Sequence, residues 1–111
     1  MTTKTYPAPG LLDMKRVTTH PGEMLAEEFL KPLGMSARAL AQAIDVPANR
    51  LTEIIAGRRG MTADTAIRLA QHFGNAPQFW MNLQSMHDLT REVVENRKQY
   101  AKIRTRETEA A

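Results

Sequence analysis

The stretch from Ser36 to Gly57, SARALAQAIDVPANRLTEIIAG, constrains the fold more than any other part of this chain. Ser36 is a good helix N-cap, and Ala37, Leu40, Ala41 and Ile44 follow at i, i+3, i+4 and i+7, the stripe of a short amphipathic helix. Asp45-Val46-Pro47 then breaks that period. A second stripe, Leu51, Ile54 and Ile55, implies another helix from about Ala48 to Ala56, which Gly57 closes as a left-handed C-terminal residue does. The expectation is two short helices crossing at the small residues Ala37 and Ala41, with Val46 buried in the turn between them.

The same reading extends to either side. Pro21 fits a first helical position and Glu23 suits the positive end of a helix dipole, so a helix starts after His20. Leu25, Phe29 and Leu33 give that helix its apolar face, and Pro32 and Gly34 end it. Thr62 caps a fourth helix carrying Ala66, Ile67, Leu69, Ala70 and Phe73, which Gly74 stops. Pro77 opens a fifth, with Phe79, Trp80, Leu83 and Met86 at helical spacing and Leu89, Val93 and Val94 as a thinner continuation.

No strand pattern and no internal repeat occurs, so the expected fold is all-α with five short helices. Residues 1–19 read as a flexible N-terminal arm, 20–95 as the folded domain and 96–111 as a charged C-terminal tail or helix extension.

Composition narrows the function. The 111 residues suffice for one core, and the absence of cysteine removes disulfide frameworks, thiolate zinc sites and cysteine nucleophiles together. No signal-peptide run or membrane span is visible, which points to the cytoplasm and away from a membrane partner. His20, His72 and His87 are too scattered for a metal site, and neither a nucleophile elbow nor a glycine-rich phosphate loop is present. The expectation is a protein that is not an enzyme and takes no cofactor. His87 and Asp88 read as a surface pair.

Two short crossed helices with a glycine after the second have the helix-turn-helix layout. On the second helix Asn49, Thr52, Glu53 and Ala56 oppose the apolar stripe, with Arg50 on the flank. A helix fits the major groove of B-DNA, where residues near its start meet base edges. Asn pairs with adenine and Arg with guanine, so Asn49 and Arg50 are the expected readers. Glu53 either accepts from a cytosine amino group or forms an ion pair with Arg50. Ser36, Arg38, Thr52, Arg58 and Arg59 are placed to face the sugar-phosphate backbone, where they supply register and salt-dependent affinity.

The segments THPGEMLAEEFLKPLGMS at 19–36, LTEIIAGRRGMTADTAIRLAQHFG at 51–74 and PQFWMNLQSMHDL at 77–89 resemble the HigA or VapI antitoxin group of the lambda-repressor-like helix-turn-helix superfamily. The resemblance spans residues 15–92 or so. It implies a homodimer on palindromic double-stranded operator DNA that represses its own operon and neutralises a HigB-type toxin, a RelE-like ribonuclease acting on messenger RNA. It also implies base contacts from the start of the third helix, here Ala48, Asn49, Arg50 and Glu53. Pro47 stands where relatives often carry a Ser or Thr cap.

The Phe79, Trp80, Leu83 and Met86 stripe reads as core plus dimer surface, and Trp80, Leu83, Leu89, Val93 and Val94 are the expected dimer contacts, since the last three would otherwise be exposed on a helix leaving the domain. Two other readings share the fold: a stand-alone repressor with no toxin, and a protein-interaction module that no longer binds DNA.

Overall fold

In the computed structural model, which describes residues 10–106, the Ser36 Oγ accepts the Ala39 N–H at 3.0 Å and opens a helix over Ala37–Ile44. The helices are numbered in chain order, so this is α2, preceded by α1 at Pro21–Leu33 and followed by α3 (Ala48–Ile55), α4 (Ala63–Phe73) and α5 (Pro77–Ala101). No strand occurs among the described residues, and the all-α five-helix architecture holds. The stretches 1–9 of the expected arm and 107–111 of the expected tail lie outside the described residues.

The described chain forms two units, Thr19–His87 and a second made of residues 10–18 with Asp88 onward. The core of the first is built from the stripes legible in the sequence: Leu40, Ala41 and Ile44 of α2, Leu51 and Ile54 of α3, and Ala66, Leu69 and Ala70 of α4 are buried. Between α2 and α3 the chain reverses through Asp45 at φ +61°, and the Val46 N–H reaches back to the Ala41 carbonyl at 3.0 Å. This is a Schellman closure with Asp in the left-handed position, where a short polar side chain is tolerated. Val46 packs half-buried on the core, as the turn requires.

Helix α1 departs from the expected register. It runs as Pro21–Met24, a π-helical stretch Leu25–Leu30, and a last turn Lys31–Leu33. In a π turn residues five apart share a face, so Leu25 and Leu30 are buried while Leu33, expected on the apolar face, is 61% exposed. The wider turn also precedes Pro32, which lies inside the last turn and cannot close an i→i−4 bond. Ile67 of α4, expected on the buried stripe, is likewise exposed, and Thr65 is buried instead with its hydroxyl 3.3 Å from that of Thr62.

Trp80 is fully buried, ringed by Phe29 and Phe79 at centroid distances of 4.9 Å each, and its Nε1 donates to Asn75 Oδ1. This corrects its placement on the dimer surface, because a side chain enclosed by its own core has nothing left to offer a partner. Leu83 also packs against that core, half-buried.

In the second unit, Thr90 and Val93 are buried on the far half of α5, which removes Val93 from the expected dimer surface for the same reason. The Thr18 N–H donates to Thr90 Oγ1 at 3.0 Å, and Arg97 donates from Nε to the Leu12 carbonyl at 2.9 Å and from Nη2 to that of Met14. Residues 10–18 are therefore held along α5 by hydrogen bonds that composition does not reveal. Helix α5 kinks at Asn96 (φ −131°) and continues to Ala101, with the Tyr100 hydroxyl donating to Glu92 at 2.6 Å. That bond favours the protonated phenol and raises its pKa.

Candidate nucleic-acid interface

Helix α3 starts at Pro47, an extended residue with no side-chain cap to offer, and presents Asn49, Thr52 and Ala56 to solvent with Arg50 and Glu53 half-exposed beside them. The polar outer face expected from the wheel is there. Ala48 is half-buried and packs against the core, so it presents only part of its surface beside Asn49. The Thr52 hydroxyl donates to the Asn49 carbonyl at 3.3 Å, which occupies its only proton.

The two ends of α3 are fixed by residues outside the motif. At the C-terminal end, a Cβ built on Gly22 of α1 would lie 1.8 Å from the Ile54 carbonyl oxygen, a separation that only a glycine permits. At the N-terminal end, Arg50 Nη1 donates to Asp64 Oδ2 at 2.5 Å. Asp64 also receives Arg68 Nε, at 3.2 and 3.1 Å on its two oxygens, and Arg68 Nη1 in turn donates to the Ile44 carbonyl at 2.9 Å. The last carbonyls of α2 are thus capped by a guanidinium, a favourable charge at the negative end of a helix. The Arg50 guanidinium first, then that of Arg68, holds the Asp64 carboxyl below the usual carboxylate range.

Glu53 does not pair with Arg50. Arg58 grips it in a fork, Nε at 3.2 Å and Nη2 at 3.1 Å, because the glycine turn at Gly57 (φ +79°) folds the chain back over the last turn of α3. The fork lowers the Glu53 pKa and raises that of Arg58. Arg58 therefore carries a compensated charge, whereas Arg38, Arg59 and Ser36 stand exposed on the same unit. The turn bearing Arg59 is tethered from below: the Met61 N–H donates to Gln84 Oε1 of α5 at 2.6 Å.

Sequence reasoning missed Gly22, Asp64, Arg68 and Gln84. Only the Asp64/Arg68 pair had a local signal, an acid and a base four residues apart on one helix.

Residues 27–80 match the family described as Helix-turn-helix. The chain is similar to Virulence-associated protein I of Dichelobacter nodosus, at 54% identity over 70 residues, covering 63% of this chain and 65% of that protein, a little under two thirds. It is also similar to antitoxin HigA-1 of Vibrio cholerae serotype O1, at 45% identity over 75 residues, covering 68% of this chain and 70% of that protein. Among solved structures, that of Pseudomonas aeruginosa antitoxin HigA with the higBA promoter superimposes with a TM-score of 0.76 at 42% identity, covering 82% of this chain and 99% of that one.

Proposed function

Because this chain belongs to the lambda-repressor-like helix-turn-helix family of DNA-binding regulators, in its HigA-type antitoxin branch, we propose that it represses its own operon and neutralises a RelE-like toxin encoded beside it. The observation that carries the DNA half is the exposed polar face at the start of α3, with Asn49 and Arg50 in its first turn. Asn49 reads adenine and Arg50 reads guanine, with Ala48 and Glu53 at the margin of the same surface. Arg59, Arg38 and Ser36 contact phosphate, joined by Thr52 once its hydroxyl leaves the Asn49 carbonyl and by Arg58 once it releases Glu53.

The chain acts as a homodimer in the cytoplasm, with recognition helices about 34 Å apart, one turn of DNA. Leu89 and Val94, both exposed on α5, are the candidate dimer contacts. Residues 20–95 form the DNA-binding domain, flanked by an arm at 1–19 and a tail at 96–111. Among the described residues no helix is long and apolar enough to cross a membrane.

Fluorescence anisotropy with the duplex upstream of its own gene, against a scrambled duplex at several salt concentrations, tests the repressor reading. Promoter-selective binding with a steep salt slope is expected. Absent or salt-insensitive binding would leave a protein-interaction module instead. Copurification with the product of the neighbouring reading frame tests the toxin half, and its absence beside intact promoter binding would leave a stand-alone repressor.

A further inference from the structure

We infer that Asp64, which lies outside the two crossed helices α2 and α3, is the positioning residue that sets the sequence selectivity of Arg50. The inference rests on the repressor reading and concerns how its site is organised.

Asp64 sits in the first turn of α4, where Thr62 caps the helix and an acid is favoured by the dipole. Its carboxylate joins both helices of the motif. It takes Arg50 of α3 directly, and through Arg68 it is linked to the carbonyls of Ile44 and Asp45 at the end of α2. The hold on Arg50 is one-sided. Nη1 is engaged by Asp64, which leaves the Nε–Nη2 edge, a two-donor fork that matches O6 and N7 of guanine.

An arginine on an exposed helix otherwise samples many rotamers, several of which reach phosphate, and phosphate contacts carry no sequence information. Fixing the guanidinium by one corner preorganises it for a base edge and withholds it from the backbone. A carboxylate beside DNA lowers overall affinity, so Asp64 acts in opposite directions on affinity and on selectivity.

That opposition is the test. In the anisotropy assay, Asp64→Asn removes the charge and keeps the shape. Its binding to scrambled duplex is expected to strengthen while the promoter-to-scrambled ratio falls about tenfold, within the range that one base-reading contact supplies. In an Arg50→Ala background, Asp64→Asn is expected to leave the ratio unchanged. Asp64→Glu keeps the charge but moves the carboxylate, so it is expected to lower the ratio without altering the salt slope, which guards against a folding defect in the neutral variant.

A ratio unmoved by Asp64→Asn and Asp64→Glu, or a fall of the same size with and without Arg50, overturns the inference and leaves the repressor reading standing. An unsubstituted chain with no promoter preference overturns both.

Discussion

The two ends of α3 are held by contacts of opposite character. Its C-terminal end meets α1 backbone against backbone, at Gly22 and Ile54, with Gly22 and Ile54 both buried. Its N-terminal end is held by one ion pair, Arg50 to Asp64, whose side chains are 30% and 55% exposed. A backbone contact in a packed interior has no rotamer by which to relax. An exposed ion pair contributes little to stability and weakens with salt, yet it still restricts where its guanidinium points. The end that anchors the fold is rigid, and the end turned toward the ligand is adjustable.

Breaking the rigid end should have the largest effect. Gly22→Ala is expected to cost about 3 kcal/mol or more, since α1 or α3 must shift to admit one methyl group. A urea denaturation followed by circular dichroism reads this directly, and an unchanged midpoint would show that the close approach is not needed.

At the adjustable end the effect should fall on recognition and spare the fold. Asn49→Ala or Arg50→Ala is expected to reduce promoter discrimination by about 1–3 kcal/mol, with the urea midpoint nearly unmoved. Equal losses on promoter and scrambled duplexes would remove either residue from the reading surface.

Arg59→Ala, in the turn just beyond α3, should weaken all duplexes alike and reduce the slope of log affinity against log salt by about 1. A change confined to the promoter duplex would mean that Arg59 reads sequence.

The smallest expected effect is on acid stability. Asp64 and Glu53 both have folded pKa values below their ordinary ones, held there by Arg50 with Arg68 and by Arg58 respectively. Their contribution is present above the ordinary carboxylate range and is lost as pH falls through the depressed values. The midpoint of thermal unfolding in low salt should therefore drop more steeply below the carboxylate range for the parent chain than for an Asp64→Asn/Glu53→Gln double variant. Parallel curves would show that these exposed pairs hold nothing.

Much of this arrangement was legible one helix at a time. The caps Ser36 and Thr62, the stripes of α2 and α3, and the left-handed closure at Gly57 depend on residues within one or two turns of each other, so periodicity finds them. The outer face of α3 was legible for the same reason. The misreadings share a different origin. Leu33 turns to solvent because a π turn alters the period itself, and Trp80, expected to serve core and dimer surface together, is wholly core because Phe29, which helps enclose it, comes from α1. Glu53 pairs with Arg58, and not with the Arg50 that lies nearer on the helix, because the glycine turn brings Arg58 back over it.

From the sequence alone came the helix count, the turn between α2 and α3, and the polar surface bearing Asn49 and Arg50, because each is encoded in spacing along a single helix. Only the tertiary structure decided that Gly22 must be glycine and that Asp64 takes hold of Arg50. Those partners lie 32 and 14 residues apart in the chain, and local spacing carries no information about contacts that exist only once separate helices have packed.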